Sequence, residues 1–271
     1  MCKIAFLGAG NMGGAMIRAI IDMGAADASD IFVYDRDVKK LNVFADETGI
    51  NVSVSSLDAV KAADVIFLAV KPNVIDSVCE EIKDCISGKY IVSIAAGVTV
   101  SRMLGILGDD TKIVRSIPNL PAMVGAGVTG IFYYNFESGD GELKENIQKL
   151  FEAFGKAIVV DKEKMIDEMI SVTSSSPAYF CLMIEAMADA AVKAGFTRKD
   201  ALVMAEQAMY GTAKLLIEKE IHPAVLKDNV CSPGGTTIEA VTALEEGGFR
   251  NSIIKAMEAC EKKAVRKEGY V

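Results

Sequence analysis

Two short segments of this 271-residue chain carry residue types suited to holding ligands. The first, Gly8-Ala9-Gly10-Asn11-Met12-Gly13, fits the pattern G-x-G-x-x-G and lies between an apolar run, Lys3 to Leu7, and an amphipathic stretch that continues through Ile21. In that strand, turn and helix setting the glycines have separate uses. Gly8 permits the tight turn, Gly10 lets the backbone approach a pyrophosphate, and Gly13 allows close packing of helix on strand, while the helix start offers unpaired N–H groups to the phosphates. Asp35, at the end of the second candidate strand, can accept the ribose hydroxyls of NADH, and Arg36 beside it can bind the 2′-phosphate of NADPH, so the pair leaves the cofactor choice open. Lys39 and Lys40 read as a solvated helix face. Ala69-Val70-Lys71-Pro72 and Pro118-Asn119-Leu120-Pro121 fall at the carboxyl ends of the fourth and sixth candidate strands, where open α/β sheets bind ligands. Pro72 is placed to begin a helix, and Asn119 to offer an amide to the nicotinamide side; ordinary turn chemistry is the competing reading of both.

The second segment runs from Val230 to Ala240 and centres on Ser232-Pro233-Gly234-Gly235-Thr236-Thr237. A glycine turn there feeds a helix, so backbone N–H groups and the hydroxyls of Ser232, Thr236 and Thr237 can hold a small carboxylate, or can simply cap an interhelical turn. Hydride transfer to a carbonyl develops an alkoxide and calls for a proton donor. His222, the only histidine, precedes Pro223 at a helix start and reads as a cap. Lys193 and Lys214 are the remaining donors, and Lys193 falls in one polar stripe with Asp189 and Glu185, which reads as a structural ion pair. Reduction of a C=N bond asks for less, because an imine nitrogen can arrive already protonated.

The elements that must position these segments divide the chain in two. Through about residue 161, short apolar runs alternate with amphipathic stretches, as βαβ units require. Candidate strands are Lys3 to Leu7, Ile31 to Tyr34, Asn51 to Val54, Val65 to Val70, Tyr90 to Ile94, Lys112 to Ile117, Thr129 to Tyr134 and Ala157 to Val160. Their continuous apolar character predicts a parallel sheet covered on both faces. Helical patterns follow: Ala178 to Ala194, Arg198 to Lys219, Ala224 to Asn229, Thr237 to Glu246 and Asn251 to Lys267. The expected architecture is therefore α/β, with a Rossmann-type dinucleotide-binding domain over residues 1–161 and an all-helical domain over 162–271 that serves substrate binding and dimerisation.

Composition narrows the function classes. Hydrophobic residues make up 51% and charged ones 24%, which excludes a disordered chain. A net charge of -8 with no basic, aromatic-interleaved run leaves nucleic-acid binding without an electrostatic source, and the same holds for an anionic membrane surface. The charge-free stretch from Ser116 to Phe136 holds two prolines, three glycines and two asparagines and reads as loop and strand instead of a membrane helix. Six cysteines without a CxxC pair, beside one histidine, offer no zinc-type site, and no metal is expected. Free thiols and an apolar strand starting at Ile4, with no leader segment before it, predict a cytoplasmic protein. The stretch from Pro177 to Val192 carries only Glu185 and Asp189 as charges, so it needs cover on several sides and predicts a homodimer or higher homo-oligomer.

The chain resembles the pyrroline-5-carboxylate reductase family. Its most specific match is the stretch from His222-Pro223 through Ser232-Pro233-Gly234-Gly235-Thr236-Thr237 to Leu244-Glu245, and Gly8 to Gly13, Ala69 to Pro72, Pro118 to Pro121 and Pro177-Ala178-Tyr179 also match in order. The resemblance implies NADPH- or NADH-dependent reduction of the cyclic imino acid 1-pyrroline-5-carboxylate to L-proline, the last step of proline biosynthesis. It further implies that Ser232 through Thr237 hold the substrate carboxylate, that Thr237 lies against the ring nitrogen as the catalytic contact, and that interlocked dimers complete the active sites. Two departures stand out. Thr173-Ser174-Ser175-Ser176 replaces a Ser-Gly-Ser-Gly run before Pro177, which bears on loop freedom and pocket width, and Asp35 stands where members favouring NADPH often carry uncharged or basic residues. The competing readings are a hydroxyacid dehydrogenase of similar architecture using a lysine acid, and a dinucleotide-binding protein without turnover.

Overall fold

A computed structural model describes residues 2–267 of the chain, which forms two compact units. One runs up to Ser174 and takes in the chain again from Glu261; the other is Ser175–Cys260. The division by packing thus falls later than the 161/162 boundary expected from the loss of strand pattern.

The first unit is built on one eight-stranded sheet. Its strands are β1 (Ile4–Leu7), β2 (Ile31–Tyr34), β3 (Asn51–Val52), β4 (Val65–Leu68), β5 (Tyr90–Ser93), β6 (Lys112–Ile117), β7 (Gly127–Tyr134) and β8 (Gly155–Val159), in the order β3-β2-β1-β4-β5-β6-β7-β8. All eight coincide with the candidate runs to within a few residues. The first six are parallel, with Ile4 opposite Ile31 on one side and Val65 on the other. β7 runs antiparallel to β6, Arg115 facing Phe132, and β8 runs parallel to β7, so the wholly parallel sheet expected from the sequence is corrected at that edge. The reason is length: residues 118–126 join β6 to β7, too few for the helical crossover that a parallel pair needs.

Alternation along β1 explains the two cores. Ile4 and Phe6 face one side of the sheet, where Met16, Ile17 and Ile20 of α1 (Asn11–Asp22), Leu41 of α2 (Val38–Thr48) and Ile147 and Phe151 of α6 (Gly141–Glu152) are buried. Ala5 and Leu7 face the other, against α3 (Ser56–Ala62), α4 (Ile75–Ile82) and α5 (Val100–Leu107), through Val60, Ile75, Ile82 and Met103. A small third cluster of Ile117, Val160 and Ile166 seats α7 (Lys164–Met169), a helix too short for its sequence pattern to mark, on the β6 side.

One charged side chain lies inside this framework. Arg115 is 1% exposed, and its Nη1 and Nη2 donate to Glu163 Oε1 (2.8 Å) and Asp167 Oδ1 (2.5 Å). Glu163 Oε1 also accepts the Val100 N–H (2.7 Å), so one buried cation ties β6, α7 and the start of α5 together. Its guanidinium is compensated by two carboxylates, the condition under which a charge stays buried.

The second unit contains α8 (Ser176–Lys193), α9 (Arg198–Lys219), α10 (Pro223–Val230), α11 (Thr236–Glu246) and the first part of α12 (Phe249–Lys267). α8 and α9 meet through small residues, with Ala188, Ala201 and Ala205 buried. Large apolar side chains remain exposed along them: Phe180, Leu182 and Met187 on α8, and Val203, Tyr210 and Ile217 on α9. Among the described residues no helix is long and apolar enough to cross a membrane.

Candidate active site

The Gly8–Gly13 turn takes its shape from close backbone contacts. Gly8 has φ +107°, and a Cβ placed on it would stand 2.6 Å from Ala69 O, so the position requires glycine. A Cβ on Gly13 would come within 2.5 Å of Gly8 O, which brings α1 against the end of β1 only if the side chain is absent. A Cβ on Gly10 would meet no protein atom, leaving open space where a pyrophosphate can approach. Gly10 is also the N-cap of α1, with no side-chain cap and no acidic residue in the first turn, so the helix N–H groups and dipole face that space uncompensated.

A cavity of about 830 Å³ opens at this turn, within the size range of small-molecule and cofactor sites. Gly8, Gly10, Asn11, Met12, Asp35 and Arg36 line it, and so do Ala69, Val70, Lys71, Pro72 and Asn119. Of the expected dinucleotide residues, Ala9 lines a smaller neighbouring hollow that also reaches Asp35, and Gly13 is buried beneath the turn. Pro72 begins a short 3-10 turn, Pro72–Val74, that leads into α4, as its fixed φ favours. The cavity also has lining that sequence reasoning missed: Ser56 and Glu81 on one side, whose side chains hydrogen-bond each other, and Ala95, Ala96 and Ser174 on the other. Residues after β5 followed the same strand-end rule that found Ala69 and Asn119, and could have been found by it. No local signal marked Ser56 or Glu81.

Two expected contacts look different in detail. Asp35 Oδ2 accepts the Ala9 N–H (2.7 Å) and Oδ1 accepts the Asp37 N–H (2.9 Å), so its carboxylate braces the glycine turn besides bordering the cavity. Asn119 is buried, its Oδ1 accepting the Val128 N–H (2.9 Å) and its Nδ2 donating to Thr173 O (3.0 Å). Those two bonds hold the β6–β7 connection and use only one of the two Nδ2 hydrogens of a residue that also lines the cavity.

In the second unit, Ser232 to Thr237 form the expected turn and helix start. Gly234 has φ +67°, and the Gly235 N–H donates to Ser232 O (3.0 Å). Gly235 is the N-cap of α11, and a Cβ on it would lie 2.3 Å from Ser232 Oγ, so glycine lets the loop fold tightly onto the helix start. Among the described residues the hydroxyls of Ser232, Thr236 and Thr237 make no hydrogen bond, and the helix start has no side-chain cap. Free hydroxyls and N–H groups in one turn suit a small carboxylate. Tyr179, in the Pro177-Ala178-Tyr179 segment, has its phenol pushed up by burial and by the neighbouring Cys260.

Two of the three candidate proton donors, His222 and Lys214, are otherwise engaged. His222 caps α10, its Nδ1 accepting the Ala224 N–H (3.2 Å), as expected. Lys214 pairs with Glu218 (3.5 Å). The ion pair expected between Lys193 and Asp189 is corrected: Asp189 pairs with Arg198 (2.7 Å), at the start of the next helix.

Comparison with known proteins agrees with this geometry. Residues 163–267 match the family model for pyrroline-5-carboxylate reductase dimerisation, and residues 3–97 match that for the coenzyme F420-dependent NADP oxidoreductases. The chain is 43% identical over 263 residues to the pyrroline-5-carboxylate reductase of Escherichia coli (strain K12), covering 97% of each. Its structure is similar to that of a pyrroline-5-carboxylate reductase from Coxiella burnetii, with a TM-score of 0.94 and 35% identity over 98% of both chains. It is also similar to pyrroline carboxylate reductase of Plasmodium falciparum with NADP bound, at a TM-score of 0.84 and 29% identity over 98% of both. The chain belongs to the pyrroline-5-carboxylate reductase family.

Proposed function

We infer that this chain reduces 1-pyrroline-5-carboxylate to L-proline with NAD(P)H. The observation that carries the reading is that each unit, taken by itself, holds an uncapped helix start suited to an anion: α1 in a dinucleotide-sized cavity of the first, and α11 at Gly235, among free hydroxyls, in the second. When bound, NAD(P)H supplies the hydride. We propose that the N–H groups at the start of α11, with Ser232 and Thr236, hold the substrate carboxylate, and that the Thr237 hydroxyl accepts from the protonated ring nitrogen. Held in that way, the C=N carbon receives the hydride, the π electrons pass to nitrogen, and the nitrogen keeps the proton it brought. No separate acid is needed, in keeping with the engagement of His222 and Lys214 elsewhere.

The exposed apolar faces of α8 and α9 support a homo-oligomer, and the reading extends to a dimer in which these helices are covered by a second copy. The cytoplasm remains its expected place of action. A side-by-side assay with pyrroline-5-carboxylate and a set of 2-keto acids tests the proposal. Oxidation of NAD(P)H with the imine alone supports it; turnover of a keto acid with none of the imine points to the hydroxyacid dehydrogenase reading.

A further inference from the structure

Ser174 closes a π-helical turn, Ile170–Ser174, and lines the dinucleotide cavity. Its Oγ is shut off from water and has no hydrogen-bond partner among the described residues. Neighbouring hydroxyls are all committed: Ser171 Oγ donates to Glu168 O and Glu261 Oε1, and Thr173 Oγ1 to Met169 O, while Ser175 Oγ lies 3.1 Å from Cys260 Sγ. An orphaned buried hydroxyl is uncommon and asks for a cause.

Its position says what could use it. The cavity crosses the end of β1, with Asp35, Arg36, Ser56 and Glu81 on the β2 side and Ala95, Ala96, Pro118 and Asn119 on the side of β5 and β6. A dinucleotide bound at the glycine turn of a doubly wound sheet places its adenosine on the first side and its nicotinamide on the second. Ser174 is on the nicotinamide side, fixed there by the Asn119 bond to Thr173 O. The Asn119 amide commits its oxygen and one of its two N–H groups to backbone, which leaves a single donor there for a carboxamide that carries both an acceptor and a donor. A nicotinamide carboxamide brings one acceptor oxygen and an NH2 donor, and a serine hydroxyl can answer either.

We propose that Ser174 is a cofactor-binding residue that hydrogen-bonds the nicotinamide carboxamide. The residue is partly exposed while its Oγ is not, so rotation of χ1 to another staggered well carries the hydroxyl from its dry site to the cavity wall. Cofactor binding then supplies the missing partner and fixes the rotation of the ring, and with it the face from which hydride leaves. The inference rests on the chain being an NAD(P)H-dependent reductase.

Calorimetric titration of the full chain with NADH, NADPH and ADP-ribose, which lacks the nicotinamide ring, tests it. Ser174→Ala and Ser174→Gly should each weaken both dinucleotides about fivefold to tenfold and leave ADP-ribose within about twofold, while Ser174→Thr, keeping the hydroxyl, should retain the original Kd. Unchanged dinucleotide affinity in the Ala and Gly variants, or an equal loss for ADP-ribose, overturns the proposal. Using two hydroxyl-free variants keeps the test open if one of them fails to fold. Failure of the unaltered chain to bind either dinucleotide would overturn the reductase reading together with it, a result distinct from the others.

Discussion

Replacing Asp35 by serine separates two jobs that one carboxylate performs. Its oxygens accept the N–H groups of Ala9 at 2.7 Å and Asp37 at 2.9 Å, and a serine oxygen on a shorter arm cannot keep both bonds. A hydrogen bond to a charged group contributes about 1.5–3 kcal/mol, so the glycine turn loosens and KM rises for NADH and NADPH alike. The charge itself acts on NADPH alone. A 2′-phosphate carries about −1.5 to −2 charges, and at roughly 5 Å, with an effective dielectric of roughly 40–80 for a part-exposed group, its repulsion from Asp35 is about 1.5–3 kcal/mol. Dividing one cofactor's kcat/KM by the other's cancels the shared loss. The NADPH to NADH ratio should therefore rise about tenfold or more in Asp35→Ser at low ionic strength, and less as salt screens the pair. Initial rates with saturating imine and each cofactor varied provide the ratio. A ratio within twofold of the unaltered chain would refute the placing of Asp35 beside the ribose, and an unchanged KM for NADH would refute its part in bracing the turn.

Thr237→Ala should lower kcat/KM for the imine by about 1–3 kcal/mol of lost polar contact, with the Kd for NADH unchanged; fluorescence titration alongside kinetics checks both halves. Arg115→Met leaves Glu163 and Asp167 without their cation and should destabilise the first unit by about 3–5 kcal/mol in urea melts, whereas a loss under about 1 kcal/mol would mean the cluster is not load-sharing. The Lys112 ammonium, followed by the Glu137 N–H, holds the Asp140 carboxyl below its ordinary value of 3.8. Asp140 therefore contributes stability that is complete above its unfolded pKa and lost as pH falls through the lower folded one, so Asp140→Asn should reduce the urea midpoint at pH 7 and make less difference under strongly acid conditions. Light scattering after size exclusion should give at least twice the 28.9 kDa chain mass, and an active monomer would contradict the cover proposed for α8 and α9.

The strands were legible because apolar runs such as Val65 to Leu68 and Lys112 to Ile117 are bounded by turn residues, and burial on both faces leaves little ambiguity of type. Direction was less so. Nothing in the composition of Gly127 to Tyr134 marks β7 as reversed; only the shortness of residues 118–126 does. The glycine turn and the Ser232 to Thr237 loop were readable because their shape is set by local backbone geometry, which glycines and hydroxyls at fixed spacing encode. The partners of Arg115 were not readable, since Glu163 and Asp167 lie 48 and 52 residues away and meet it only through tertiary packing. For the same reason the engagement of Asn119 with Thr173 and Val128, and the isolation of the Ser174 hydroxyl, could be found only in three dimensions.

The most direct test of the account is a balanced turnover measurement on the purified chain, supplied with pyrroline-5-carboxylate and NADH or NADPH, with cofactor consumption followed by absorbance and proline resolved by chiral chromatography. One L-proline should form for each NAD(P)H oxidised, at a rate that depends on Thr237. Oxidation without proline, or none above the enzyme-free control with either cofactor, would contradict it.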